Sequence, residues 1–158
     1  MNIIGIDPGL TGAVASITSS GIILHDTPTT KIKKGKTIKT DYLPVEMVNL
    51  LYPYHALNTH VFLESVHAMP GQGSTSMFRF GEGYGLWIGI ISALLLPMTK
   101  VTPQAWKKML MAGIGDKDAA RQRAQELFPD CAGQLSRKLD IGRADALLIA
   151  EFGRRTLK

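Results

Sequence analysis

Four acidic residues are candidate metal ligands, and two of them directly follow apolar runs. Asp7 follows the run 3–6, Glu64 follows the run 60–63, and Asp140 and Asp145 open a segment with helical periodicity. An acid at the end of a buried strand is costly unless a partner neutralises it or it takes up a proton. Mg²⁺ binds a few carboxylates together with waters and phosphate oxygens. The set therefore favours phosphodiester hydrolysis by two Mg²⁺ ions about 4 Å apart, which activate a water and stabilise the leaving oxygen.

The spacing between Asp140 and Asp145 limits how both side chains can reach one ion. Asp140 and Asp145 are five residues apart, about 140° around a regular helix, so both cannot project from regular turns toward one ion. We therefore expect Asp140 at or just before the N-cap and Asp145 one turn inside the helix, with both side chains approaching the same point.

The elements that must position these acids alternate between strands and helices. Short apolar runs predict strands at 3–6, 13–17, 21–25, 60–64 and 99–101, of which the first three form an antiparallel meander. Periodicity predicts helices from Asp41 or Thr40 to about Tyr52, over 81–96, from Pro103, from Asp116 to near Pro129 and over 140–152. Residues 31–39, which carry five lysines, and residues 69–83, which are rich in glycine, are expected to be loops.

Composition indicates one soluble domain, residues 1–158, with a polyanionic partner. The net charge is +5, the lysines crowd residues 31–39, and most of the other basic residues follow Lys100. Cys131 is the single cysteine, which excludes an internal disulfide. The apolar run 84–98 is shorter than the roughly twenty residues that cross a bilayer. We expect a cytoplasmic protein without a leader or membrane anchor.

Several residues are candidate DNA contacts. In the predicted loop, Met77, Phe78 and Phe80 surround Arg79, and these apolar side chains either pack into the core or wedge into distorted DNA. The lysine-rich segment 31–39 is either a solvated surface or a phosphate contact. The remaining candidates are basic residues on the predicted helices that follow: Lys107, Lys108, Lys117 and Arg121. Gly81, Gly85 and Gly89 permit close backbone approach by another element or by a second copy of the chain.

Motifs along nearly the whole chain resemble the RuvC family of Holliday junction resolvases, most closely its phage and chloroplast branch. They are Gly5-Ile-Asp7-Pro-Gly-Leu-Thr-Gly12, Glu64, Pro70-Gly-Gln-Gly73, Tyr84-Gly-Leu-Trp87, Thr102-Pro103, Lys107, Gly113-Ile-Gly115, Lys117 and Arg143-Ala-Asp145-Ala-Leu. The resemblance implies an α/β fold of the RNase H-like class, with a mixed five-stranded sheet flanked by helices.

The resemblance also implies how the protein works. It implies a homodimer that resolves four-way DNA junctions by paired symmetric nicks and depends on Mg²⁺, for which Mn²⁺ substitutes. It assigns Asp7, Glu64 and Asp145 as ligands of two ions per active site, and Lys107 and Lys117 as phosphate contacts. RuvC itself has an Asp or His where this chain has Gly142, so Asp140 is expected to supply the fourth ligand. A phage-encoded protein would act in the host cytoplasm.

Other functions remain open at this point. An RNase H-like nuclease acting on other branched DNA or on RNA–DNA hybrids would use the same carboxylates. An actin-like ATPase or sugar kinase also has an Asp-x-Gly-x-Thr turn, but it needs two lobes and a second phosphate loop, so we expect no nucleotide cofactor. A junction-binding protein without catalysis is disfavoured, because acidic groups weaken phosphate binding unless metal offsets them.

Overall fold

The computed structural model of the protein describes residues 1–65, 73–111 and 118–157, apart from the side chain of Lys34. The strands in these ranges are β1 (Asn2–Asp7), β2 (Ala13–Thr18), β3 (Gly21–Asp26), β4 (Thr29–Lys34), β5 (Thr37–Tyr42), β6 (Thr59–Glu64) and β7 (Met98–Val101). The helices are α1 (Pro44–Leu51), α2 (Ser74–Ala93), α3 (Pro103–Leu110), α4 (Ala119–Leu127) and α5 (Ile141–Thr156). Short 3₁₀ helices cover Tyr52–Tyr54, Pro129–Leu135 and Lys138–Asp140.

Five strands form one mixed sheet in the order β3-β2-β1-β6-β7. β1, β2 and β3 make the expected antiparallel meander, whereas β6 lies parallel to β1 and β7 lies parallel to β6. Helices pack on both faces of this sheet. The predicted α/β fold with a mixed five-stranded sheet flanked by helices is confirmed.

The two faces of β1 belong to different cores, as the period of two in a strand requires. Ile4 and Ile6 pack with residues of α1 and α2 on one face. Ile3 packs with Phe62 and with α3, α4 and α5 on the other face. Asp7 continues the register of Ile3 and Gly5, and Glu64 that of Phe62, so both acids lie on the α5 side.

Two glycines let α5 lie directly against the sheet. A Cβ at Gly5 would overlap the carbonyl oxygen of Ala146 and the backbone nitrogen of Ala150. A Cβ at Gly142 would overlap the carbonyl oxygen of Thr11, in the turn after β1. The start of α5 is therefore in contact with both β1 and the turn that follows Asp7.

The lysine-rich segment is a β-hairpin, so its prediction as a loop was wrong. β4 and β5 pair with each other in a separate two-stranded sheet, and Lys34 pairs with Thr37 across a two-residue loop. Gly35 opens that loop with a φ of 60°, the left-handed conformation that glycine adopts without strain. The sequence pattern missed the hairpin because only its base, at Tyr42, reaches the core.

The helix before β6 begins later than expected. Neither Thr40 nor Asp41 caps it, since both lie in β5, and α1 starts at Pro44 with Leu43 at the N-cap. Proline suits the first helical turn because it lacks the N–H that has no intrahelical partner there.

Residues 74–83 belong to α2, so the predicted glycine-rich loop was wrong over this range. Gly83, Trp87, Ile90 and Ile91 are the buried residues of α2, which is one face at helical spacing. Phe78, by contrast, is 75% exposed. None of the described helices combines the length and hydropathy needed to cross a bilayer.

Candidate active site

The parallel pairing of β1 with β6 brings Asp7 and Glu64 together. The register pairs Ile6 with Leu63, so the two acids follow at the same end of neighbouring strands. Each acid has one described hydrogen-bond donor. The backbone N–H of Gly9 donates to Asp7 Oδ1 over 3.3 Å, and the indole N–H of Trp106 donates to Glu64 Oε1 over 2.8 Å.

Asp145 reaches the same site from the second turn of α5. Burial, together with the charges of Asp7 and Glu64, raises the pKa of its carboxyl to about 7. Burial likewise raises the pKa of Asp7 to about 6, with the charge of Glu64 as the next cause. Burial also raises the pKa of Glu64, whereas the Trp106 hydrogen bond and the charge of Lys107 lower it. The three acids are thus a mutually repelling group.

These three acids differ from the fully buried acids elsewhere in the chain. Asp140 is held by Arg137, and Glu151 is held by Arg154 and Arg155. Among the described residues, no arginine or lysine forms an ion pair with Asp7, Glu64 or Asp145, and Asp145 Oδ1 is buried without a hydrogen-bond partner. Lys107 lowers the pKa of all three carboxyls, and it acts from beyond ion-pair distance.

The donor set fits a divalent cation of the Mg²⁺ type. It consists of carboxylate oxygens, which such hard cations prefer, and one of them is an unpartnered buried oxygen. Within residues 1–65, 73–111 and 118–157, no three acidic, histidine or cysteine side chains are arranged so that they could hold a metal ion. The three acids are neighbours that influence one another through space.

Asp140, the predicted fourth ligand, is bound to Arg137 in the structure and is not grouped with these three acids. It occupies the N-cap position of α5, as expected, but its side chain is 1% exposed and points to Arg137. Oδ1 accepts from Arg137 Nη2 over 2.7 Å, and Oδ2 accepts from the Arg137 backbone N–H over 2.8 Å. These bonds hold its pKa below the ordinary value. In this structure Asp140 therefore links the 3₁₀ turn to the start of α5 through Arg137.

Gly142, the position where RuvC has a ligand, cannot carry a side chain in this chain. The contact between its α-carbon and the turn after β1 leaves no space for a Cβ. Next to it, Arg143 donates to both oxygens of Asp26, over 2.6 and 2.7 Å, and so ties the first turn of α5 to the end of β3. This clamp fixes the part of α5 that carries Asp145.

The predicted apolar wedge and its arginine lie on the first half of α2. Arg79 donates to Asp41 over 2.7 Å, to Glu82 over 3.0 Å and to the carbonyl oxygen of Thr40, so it fastens the hairpin to α2. Phe78 is exposed, whereas Met77 and Phe80 are partly buried. Arg79 is therefore engaged within the chain.

A groove of about 340 Å³ lies between the turn after β1 and the start of α2. Its lining combines backbone of the turn with polar and aromatic side chains: Gly9, Leu10, Thr11, Tyr42, Thr75, Ser76, Arg79 and Phe80. The root of the hairpin, at Tyr42, thus borders this groove together with the turn that follows Asp7.

The predicted basic DNA contacts separate into different environments. Lys107 lies near the carboxylates, with its Nζ 5.1 Å from the centre of the Trp106 ring. Lys108 is exposed on α3, and Lys117 lies outside the described residues.

Arg121 is paired with Asp118 and donates to the carbonyl oxygens of Leu135 and Ser136, so it holds α4 against the segment before α5.

Sequence reasoning missed Trp106, whose indole is buried yet contacts a predicted ligand. The available signal was its position on α3, one residue before Lys107 and just after the Thr102-Pro103 helix start. Apolar periodicity alone marks such a residue as core.

The comparisons with known proteins agree with this arrangement. No protein-family model matches the chain. Two solved structures of RuvC from Thermus thermophilus superpose over nearly the whole chain. One covers 98% of this chain and 96% of that protein, with a TM-score of 0.55 and 14% identity. The other, in complex with Holliday junction substrate, covers 99% and 96%, with a TM-score of 0.57 and 19% identity. The chain has the RuvC fold.

One curated relative adds similarity at the level of sequence. The chloroplastic Holliday junction resolvase MOC1 of Chlamydomonas reinhardtii is 32% identical over 92 residues, which is 58% of this chain. The match spans about a tenth of that relative, 10% of its length. The RuvC fold and this partial match both agree with the family resemblance that the sequence motifs indicated.

The raised pKa of Asp145 predicts how the stability of the metal-free protein depends on pH. The protonated carboxyl stabilises the folded state, so its contribution is fully present below 3.8, the ordinary pKa, and is lost as pH rises through about 7. Asp145→Asn should therefore raise the free energy of unfolding at about pH 8 by about 2 kcal/mol and change it little at about pH 4. Urea denaturation with a chelator present measures both values.

Asp140→Asn is the matched control, because it removes the same charge five residues away. It breaks the bonds to Arg137 and should lower stability at about pH 8. Equal destabilisation by both substitutions would contradict the distinction between a repelling acid and a paired one.

Proposed function

We propose that this chain is a divalent-metal-dependent endonuclease of the RuvC type that resolves four-way DNA junctions. The observation that carries the proposal is the group of three partly buried carboxylates, Asp7, Glu64 and Asp145, at one end of a RuvC-fold sheet, with no arginine partner among the described residues. The partial match to a protein named as a Holliday junction resolvase supports the same substrate. So does the likeness to RuvC held in complex with Holliday junction substrate.

In this proposal the three carboxylates hold Mg²⁺, with Mn²⁺ as a substitute and two ions per site. The bound ions supply an activated water and stabilise the oxygen that leaves the scissile phosphodiester. The chain supplies the geometry: the ends of β1 and β6 fix Asp7 and Glu64, and the first turns of α5 fix Asp145. Lys107, close to all three acids, is placed to contact a phosphate of the bound strand.

The hairpin supplies a second, purely electrostatic contact with DNA. Residues 29–42 contain five lysines and one aspartate, which gives four of the five net positive charges of the chain. Lys31, Lys33, Lys36 and Lys39 are exposed, and no described ion pair uses them. Since Asp41 pairs with Arg79, the cationic charge of the hairpin is available to a phosphate backbone.

A homodimer is part of the proposal, because a four-way junction needs two nicks on opposite strands. Gly81, Gly85 and Gly89 lie on α2 with open space where a Cβ would stand, so a second copy can approach the helix backbone closely there. Phe78 is exposed on the same helix, so its apolar side chain can meet an unstacked base.

Asp7→Asn tests the carboxylate site directly. We expect it to reduce Mg²⁺-dependent nicking of a labelled four-way junction by at least about 1,000-fold, because the neutral amide binds the ion weakly. Junction affinity, measured by gel shift in Ca²⁺, should fall less than about threefold, since the lysines are untouched.

A comparison of three nucleic-acid substrates tests whether cleavage is specific for junctions. The wild-type protein is assayed on a four-way junction, a linear duplex and an RNA–DNA hybrid, each with and without Mg²⁺. Equal cleavage of all three would refute junction specificity, and cleavage of the hybrid alone would indicate an RNase H. Full nicking activity in Asp7→Asn would refute the metal site.

Substitution of the hairpin lysines tests the electrostatic contact. Replacing Lys31, Lys33 and Lys39 together with glutamine should weaken junction binding and lower the slope of log affinity against log salt by up to about 3, or about 0.9 for each lost phosphate contact. Replacing the same three with arginine keeps the charge and should leave the slope unchanged. An unchanged slope in the glutamine variant would place the DNA elsewhere.

A further inference from the structure

Trp106 combines complete burial with a hydrogen bond to one of the proposed metal ligands. Its side chain, on α3, is 0% exposed and packs in the core that α3 shares with α5 and the sheet. Its Nε1–H donates to Glu64 Oε1 over 2.8 Å. Thr102 caps α3 by accepting from the Ala105 N–H, and this fixed start of the helix determines where the indole lies.

The hydrogen bond distinguishes the two oxygens of Glu64. The last torsion of a glutamate is broad, so a carboxylate without a donor rotates freely between orientations. Here Oε1 accepts from the indole, and no described hydrogen bond or ion pair uses Oε2. One oxygen is thus fixed to the core, and the other is left for a ligand.

The second tryptophan of the chain shows that packing alone does not require such a bond. Trp87 is also 0% exposed, yet its Nε1–H has no hydrogen-bond partner among the described residues. This fold therefore accommodates a buried indole without an acceptor. The placement of the Trp106 N–H on Glu64 calls for an explanation other than burial.

We propose that Trp106 is a positioning residue that holds Glu64 Oε1 so that Oε2 faces the metal. The inference rests on the proposed metal site and extends it to a residue that touches neither ion nor DNA. Partners of this kind orient ligating carboxylates, and their loss typically costs 10–100-fold in metal affinity.

Trp106→Phe is the informative substitution because it keeps an aromatic ring and removes the N–H. The ring also supports Lys107, whose Nζ lies 5.1 Å from its centre, and phenylalanine retains that support. Removing the whole side chain would instead leave a large cavity in the core. The variant therefore separates the hydrogen bond from packing and from the position of Lys107.

The primary test titrates Mg²⁺ alone into the DNA-free protein and follows the unfolding temperature. Trp106→Phe should raise the Mg²⁺ concentration for half of the maximal shift by about tenfold or more. Trp87→Phe, which removes an N–H without a partner, should leave it unchanged. In a Glu64→Ala background, Trp106→Phe should have no further effect on it. A half-maximal concentration equal to wild type in Trp106→Phe would overturn the inference.

A fluorescence measurement covers the case in which Trp106→Phe fails to fold. Trp87→Phe leaves Trp106 as the only one of the chain's two tryptophans. Its emission should change as Mg²⁺ binds, and the change should disappear in Glu64→Ala. Emission that does not respond to saturating Mg²⁺ would overturn the inference.

These outcomes separate the inference from the proposed function, since no DNA is present. A Mg²⁺ response that depends on Trp106 in a protein that cleaves no junction would uphold the inference and refute junction resolution. A wild-type protein that binds no Mg²⁺ would refute the metal site, and the inference with it.

Discussion

The structure depends on the mutual repulsion of three partly buried carboxylates at one end of the sheet, which no ion pair among the described residues relieves. Elsewhere the chain pairs its buried acids with arginine, as Asp140 is paired with Arg137. At the site it does the reverse and leaves Asp145 Oδ1 without a partner. The missing side chains of Gly5 and Gly142 allow α5 to approach β1 this closely, so the fold itself keeps the charges together. A divalent cation bound at this site would relieve the repulsion among these charges.

Much of this site can be predicted from sequence because strands have a simple period. An apolar run that ends in an acid predicts both the strand and the end at which the acid lies, and parallel pairing then brings Asp7 beside Glu64. The helix that carries Asp145 follows from its apolar spacing in the same way. These elements belong to the core, where burial determines both pattern and position.

The remaining features depend on partners that are distant in sequence or on elements without a buried face. The hairpin at residues 29–42 consists mostly of lysine and threonine and has few apolar residues, so no pattern marks its strands. The first turns of α2 expose Phe78 and Gly81 and therefore resemble a loop. The pairing of Asp140 with Arg137 could not be read from the sequence, because it depends on the 3₁₀ turn that brings the two residues together. Trp106 resembles any core aromatic until its N–H is seen to point at Glu64.

The central claim is that Asp7, Glu64 and Asp145, without Asp140, form the divalent-metal site. Anomalous diffraction from crystals soaked in Mn²⁺ tests it most directly, because the ion is located without reference to activity. The account predicts anomalous density in contact with carboxylate oxygens of Asp7, Glu64 and Asp145, while Asp140 stays bound to Arg137. Density coordinated by Asp140, or no density among the three acids at saturating Mn²⁺, would contradict it.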